Sequence, residues 1–138
     1  MNTTRQEPVR RSLPWRSALT IVLGAAALVF FLLGLRGVLQ PNAAAQTFGL
    51  IVGAPEDNAF MQAVGARNIG MSLLALGLLI RDLRSALVQL LGAACLISGL
   101  DFLIVSGEAG FAKAAKHLVY LLALFGLAVW TLGTTKRH

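Results

Sequence analysis

Residues 61–80 read MQAVGARNIGMSLLALGLLI, a mostly apolar stretch that holds Arg67 and Asn68 well inside it. A helix needs about 20 mostly apolar residues to cross the hydrocarbon core of a bilayer, so this stretch predicts a membrane span. An arginine near the middle of such a span costs about 2.5–3.5 kcal/mol on insertion scales. We therefore expect Arg67 to face the interior of the protein and to have a partner there.

The composition extends this interpretation to the whole chain. Of its 138 residues, 57% are hydrophobic and only 13% are charged, against about 25% charged in soluble domains. Apolar runs predict spans at about 17–39, 61–80, 86–106 and 114–134. These runs lack the alternation of membrane β-strands, so they are predicted to be helices. The predicted fold class is all-α: an integral membrane four-helix up-and-down bundle, forming a single domain over residues 17–134.

The basic residues predict the orientation of the bundle, because Lys and Arg near span ends favour the cytoplasmic side. The predicted inner side carries most of them: Arg5, Arg10, Arg11, Arg16, Arg81, Arg84, Lys136 and Arg137. The predicted outer side carries Lys113 and Lys116. We therefore expect an N-in, C-in protein with cytoplasmic tails at residues 1–16 and 135–138. The Ala/Leu/Arg-rich character and short loops suggest the bacterial plasma membrane.

The N-terminus has a competing interpretation as a signal peptide, with a cleavage site in the NAAAQ sequence at residues 42–46. The apolar run is longer than the usual signal-peptide core of about 7–15 residues. Arg36 also separates that run from the alanines, and further spans follow. We therefore favour retention of the run as the first transmembrane helix.

The sequence argues against several other classes of function. The net charge of +6 could suggest nucleic acid, but the charges cluster at span ends, so we expect no nucleic-acid partner. The single cysteine, Cys95, lies within the third span and is interpreted as a small packing residue. The spacing of histidines and cysteine indicates neither a metal site nor haem, and we expect no cofactor.

Asp101, in the third span, is the predicted partner of Arg67. At 1.5 Å per residue, Arg67 lies roughly 10 Å and Asp101 roughly 9 Å from the outer ends of their spans. The two spans are joined by a short turn and run antiparallel, so the opposite charges can meet. The helical stripe that contains Arg67 otherwise consists of small residues: Ala63, Gly70 and Gly77. Small residues allow helices to approach closely in lipid, so we interpret this stripe as a packing face.

Other polar residues are expected at a similar height. Asn68 follows Arg67, and His117 lies near the start of the fourth span. Arg36 and Tyr120 are possible outer members of the same cluster. The alternative interpretation is that the ion pair only sets which helices pair and in what register. In that case Arg36 snorkels to the interface, His117 sits among headgroups and Tyr120 is an interface anchor.

The first outer loop has a structure of its own. Pro41 ends or bends the first span, because proline cannot continue the hydrogen bonding of a helix. The following NAAAQTFGL sequence, residues 42–50, predicts a short interfacial helix in which Gly49 turns the chain.

Four features together resemble a known family: FGL after the first span, GARNIGMSLLALGLL, an Asp in a small-residue third span, and a His opening the fourth. The family consists of short bacterial and fungal membrane proteins described as domain of unknown function 4267. The likeness runs from about Leu35 to Gly133, and its most specific part is residues 65–68 with Gly70. Members often have Asp where this chain has Asn68, which weakens any mechanism that needs a carboxylate there. The resemblance implies a four-helix membrane protein and no established activity.

Three function classes remain open at this point. The first is a multi-pass membrane protein that binds a lipid or small amphiphile, or acts as an accessory subunit. The second is an integral membrane enzyme, in which His117 and Asp101 supply acid–base chemistry and Arg67 holds an oxygen of a lipid-soluble substrate. The third is an oligomeric transporter for a small solute or proton. The expected partner is membrane lipid, and a lipophilic small molecule and further copies of the chain are the partners left open.

Overall fold

The computed structural model describes residues 17–50 and 55–135, and within them the side chains of residues 17–50 and 58–134. These residues form five helices: α1 (Ala18–Leu39), α2 (Pro41–Phe48), α3 (Pro55–Ile80), α4 (Arg84–Ala109) and α5 (Phe111–Thr135). Six of the basic residues on which the predicted orientation depends, at positions 5, 10, 11, 16, 136 and 137, lie outside the described residues.

Four of the five helices are long and apolar enough to cross a membrane, which confirms the prediction of an all-helical, multi-pass membrane protein. The qualifying segments are Ala18–Leu39, Asn58–Ile80, Arg84–Ala109 and Phe111–Thr134. Helix α3 begins six residues before the predicted span at residue 61, because the helix continues through polar residues that an apolar run does not include. Large apolar side chains on the outside of the helices, such as Leu103 at 64% exposure, provide surface for lipid. The division into one domain and two tails stays a prediction.

Three glycines allow α1 and α3 to pack with their backbones almost in contact. A Cβ atom added to Gly65 of α3 would lie 2.6 Å from the carbonyl oxygen of Gly34. One added to Gly37 would lie 2.9 Å from the Cα atom of Gly65. Farther along, Gly24 lies opposite Leu79, so the two helices run antiparallel. Small residues permit this approach, and the dispersion contacts of two backbones stabilise the pair in lipid.

The predicted packing stripe on α3 is therefore wrong. Added Cβ atoms at Gly70 and Gly77 would meet nothing within 4 Å, and Ala63 is exposed. The glycine that contacts another helix is Gly65, two residues before Arg67 and on a different stripe. Helical spacing shows which residues share a face, but it does not show which face has a neighbour.

Helices α4 and α5 form the second closely packed pair. Phe102 and Phe111 meet edge to face, with ring centroids 5.9 Å apart. At the opposite end of the pair, Arg84 Nη1 donates to the carbonyl oxygen of Thr134 at 3.3 Å, and Arg84 Nε donates to Asp82 Oδ1 at 3.1 Å. The start of α4 thus lies beside the end of α5, and these helices also run antiparallel.

The two helix pairs contact each other much less than the helices within each pair do. Their shared apolar core consists of five buried leucines from α1, α4 and α5: Leu19, Leu23, Leu87, Leu91 and Leu124. This core lies toward the turn between α3 and α4, which we call the turn end. The opposite end, where α2 lies, we call the α2 end. Between the pairs a cleft remains.

Helix α2 confirms the helix and the turn predicted between the first two spans. Pro41 occupies its first turn, and Gly49 ends it with a φ of 105°, a conformation that favours glycine. Its buried face, Ala44 and Ala45, packs against Met61 and Val64 of α3. The position of α2 at the membrane interface stays a prediction.

Candidate functional site

Arg67 and Asp101 lie at ion-pair distance, as their predicted depths indicate. Arg67 Nη2 is 3.7 Å from Asp101 Oδ2, and the side chains are 37% and 18% exposed. The pair joins α3 of one helix pair to α4 of the other. It is therefore a polar connection across the cleft.

The Arg67 guanidinium has unused hydrogen-bonding capacity. It carries five N–H donors, and a hydrogen bond from nitrogen to oxygen is normally 2.7–3.2 Å long. At 3.7 Å the contact to Asp101 is electrostatic and lies outside that range. The buried Nε atom has no hydrogen-bond partner among the described residues. Asp101 thus offsets the charge of Arg67 but leaves N–H donors of its guanidinium available for further hydrogen bonds.

His117 is the most deeply buried member of the predicted cluster, with 3% exposure. Its Nε2 atom lies 2.9 Å from the carbonyl oxygen of Phe48. A carbonyl can only accept, so Nε2 carries the proton and donates it. The ring of Phe48 also meets the imidazole edge to face, with centroids 4.6 Å apart. His117 therefore attaches α5 to the end of α2.

Lys116 was not predicted as part of the cluster, yet it makes the neighbouring connection. Its ammonium donates a hydrogen bond to the carbonyl oxygen of Thr47. Thr47 and Phe48 are the last two residues of α2, and terminal carbonyls of a helix lack partners within it. Cationic donors at a helix C-terminus also complement its dipole. Gly49 of the FGL sequence predicts the end of α2, but the position of α5 determines which side chains cap that end.

The remaining predicted members lie around the same space. Tyr120 is 38% exposed and meets the ring of His117 edge to face at 6.2 Å. Asn68 accepts a 2.7 Å hydrogen bond from Ser72 Oγ at its backbone carbonyl. Arg36 is exposed, and its guanidinium has no hydrogen bond or ion pair within residues 17–50 and 55–135.

All six predicted residues line one cavity of about 170 Å³ between the two helix pairs: Arg36, Arg67, Asn68, Asp101, His117 and Tyr120. The same cavity continues to Leu79, Leu87 and Leu124 near the turn end. From Arg67 to Leu79 along α3 this is about 18 Å at 1.5 Å per residue. The cavity thus has a polar mouth at the α2 end and an apolar interior toward the turn end.

The charges of the mouth are unequal. Three cationic side chains, Arg36, Arg67 and Lys116, line the cavity with one carboxylate, Asp101. Among the described lining residues there is no second acid to balance them. The mouth therefore has a formal excess of two positive charges if His117 is neutral.

Metal chemistry receives no support from this cluster. Within the residues that the structure describes, no group of three or more His, Cys, Asp or Glu side chains could hold a metal ion. Cys95 lies on α4 as a free thiol. The absence of a cofactor stays a prediction.

Comparison with known proteins identifies a family and no characterised relative. The model of a family described as "Domain of unknown function (DUF4267)" matches residues 27–131, well over half of the chain. The match includes every residue that lines the cavity except Leu23 and Ala26, and it includes the whole polar mouth. No curated protein and no solved structure matches the chain.

Proposed function

The chain belongs to the DUF4267 family, and we propose that this multi-pass membrane protein binds the apolar chain of an amphiphile in the cleft between its two helix pairs. The observation that carries this proposal is the shape of the cavity. Polar and charged side chains line its mouth, and leucine and alanine side chains line its interior. An amphiphile has the same order of polar and apolar parts.

The weak packing between the helix pairs supports this proposal. Two helices of a bundle can exclude lipid from their interface by close packing, as α1 and α3 do through Gly34, Gly37 and Gly65. Between the pairs, small residues such as Ala26, Ala75 and Ala94 line the cavity. Small side chains on the cavity wall leave volume that an apolar chain can fill with favourable dispersion contacts.

The enzyme and transporter hypotheses have less support. The one donor nitrogen of His117 is engaged by Phe48 at 2.9 Å, so the imidazole holds α2 in place and does not present Nε2 to a substrate. No observation favours a continuous path across the bundle or a particular surface for a second copy. Both hypotheses, and the possible homo-oligomer, stay predictions.

The proposed arrangement in the membrane is an up-and-down bundle with both termini inside, in the bacterial plasma membrane. It places the cavity mouth at the outer side. In a Cys95→Ser background, we expect Ala112→Cys to react with a membrane-impermeant maleimide in intact cells. Ser85→Cys, at the turn end, should react only after permeabilisation. The reverse pattern, or equal labelling of both, would exclude this orientation.

Cavity filling provides the test of binding. Ala26 lines the cavity, whereas its neighbour Ala25 is exposed on the outside of α1. The purified protein is incubated with hexadecanoate or hexadecanol, and one-to-one adducts are measured by native mass spectrometry. We expect adducts with the wild type and with Ala25→Phe, and their loss with Ala26→Phe. Absence of any adduct with the wild type, or equal adducts with both variants, would refute the proposal.

A further inference from the structure

We propose that the occupant of the cleft is a single-chain acid, whose anionic head is held at the mouth by Arg36 and Arg67 and whose one chain extends toward the turn end. This inference rests on the proposed function, because it specifies the ligand of the same cavity. It adds two features that can be tested separately: the negative charge of the head and the number of chains.

The charge balance of the mouth determines the sign of the head. An unbalanced cation inside a membrane protein is costly, because little water is present to solvate it. Asp101 offsets only one of the three cations that line the cavity. An anionic head would offset another, whereas a neutral head leaves the excess unchanged and a cationic head increases it.

The donors of the mouth determine where that head binds. Lys116 is already committed to the carbonyl oxygen of Thr47. The Arg36 guanidinium has no partner in the described part of the chain, and Arg67 contacts Asp101 only at 3.7 Å. Guanidinium groups form paired hydrogen bonds with carboxylate and phosphate oxygens. Arg67, on the cleft wall, and Arg36, at its edge, are therefore the two cationic groups of the mouth with donors available for an acid.

The size of the cavity determines the number of chains. Its volume is about 170 Å³, slightly more than an engineered cavity of about 150 Å³ that binds benzene. The cavity is also long, since it continues from Arg67 to Leu79. A cavity of this volume holds a segment of one hydrocarbon chain and has no room for segments of two chains side by side, so the rest of the chain lies in the surrounding lipid.

The test compares ligands that share one hydrocarbon chain and differ in the head group. Hexadecanoate, hexadecyl phosphate and hexadecanol are titrated separately against the purified full chain, with dioleoyl phosphatidylglycerol as a two-chain anion. Hydrogen bonds to charged groups predict that the two acids bind about ten- to a hundredfold more tightly than the alcohol. Equal binding of alcohol and acids would overturn the anionic head while leaving amphiphile binding intact. Tighter binding of the phospholipid than of the single-chain acids would overturn the single chain, and failure of every ligand would overturn both proposals.

Variants then test which residues bind the anionic head of the ligand. Arg36→Gln should weaken hexadecanoate binding about tenfold and leave hexadecanol binding unchanged. Arg67→Gln combined with Asp101→Asn removes the pair without leaving one charge alone, and should also reduce the preference for acid over alcohol. Lys113→Gln is the matched control, because Lys113 is exposed and does not line the cavity. An unchanged preference in both arginine variants, or an equal loss in the Lys113 control, would overturn the assignment.

Discussion

The backbone contact between α1 and α3 leads to a sharp prediction for Gly65→Ala. The added Cβ atom would lie 2.6 Å from the oxygen of Gly34, 2.8 Å from the nitrogen of Val38 and 3.0 Å from the carbonyl carbon of Gly37. All three are backbone atoms of α1, so no side chain can rotate away. Ordinary van der Waals contact begins at 3.4 Å, so α1 and α3 must separate locally by about 0.8 Å.

The magnitude follows from a matched pair of substitutions on the same helix. Gly70→Ala also adds one methyl group to α3, but its Cβ would meet nothing within 4 Å. Both substitutions remove the helix penalty of glycine, which is about 0.8–1.0 kcal/mol in water. The difference between the variants therefore isolates the helix contact, and overpacking of this kind costs about 1–3 kcal/mol. The free energy of unfolding of Gly70→Ala should equal or exceed that of the wild type, and that of Gly65→Ala should be lower than that of the wild type.

The assay is reversible unfolding by sodium dodecyl sulfate in dodecyl maltoside micelles, followed by tryptophan fluorescence. The measured quantity is the difference in the free energy of unfolding between the two variants. Because Gly65 also lines the cavity, hexadecanoate binding is measured on the same samples. If Gly65→Ala is as stable as Gly70→Ala, then α1 and α3 are not in backbone contact, and the arrangement of the first helix pair is wrong.

Three further perturbations test the polar mouth and α2. Asp101→Asn leaves Arg67 without its counter-charge and should lower the free energy of unfolding by about 1–3 kcal/mol. This is less than for a fully buried pair, because Arg67 is 37% exposed. Equal thermal stability of Asp101→Asn and Cys95→Ser would contradict the ion pair. Gly49→Ala forces alanine to a φ of 105° and should cost about 1–2 kcal/mol, measured by the same unfolding assay; an unchanged stability would contradict the left-handed end of α2. Lys116→Met removes a donor from the last carbonyls of α2 and should speed hydrogen exchange of the Gly49 amide; an unchanged rate would show that the cap does not hold α2.

Several features of the site were predictable from sequence because they depend on distance along a helix. The rise of 1.5 Å per residue placed Arg67 and Asp101 at equal depth, and the structure brings them to 3.7 Å. By the same rise Asn68 and His117 lie near that height, and they line the same cavity. The glycine end of α2 was predictable from the conformational freedom of Gly49.

Other features were not predictable because they depend on rotation about the helix axis. The predicted stripe of Gly70 and Gly77 has the spacing of a packing face but no neighbour, whereas Gly65 is in backbone contact with α1. Lys116 caps Thr47, 69 residues away along the chain. Neither fact follows from local sequence, because apolar helices in lipid are apolar on every side and carry little information about which side is inward.

Composition and hydropathy alone determined that this chain is a multi-pass helical membrane protein, because a backbone in hydrocarbon has to satisfy its own hydrogen bonds. They also determined the depth of each charge along its helix. Tertiary packing decided which helices pair, that the two pairs stay apart, and that α2 is held by donors from α5. The cleft results from this packing, because a space between helices forms only where two helix surfaces do not pack against each other.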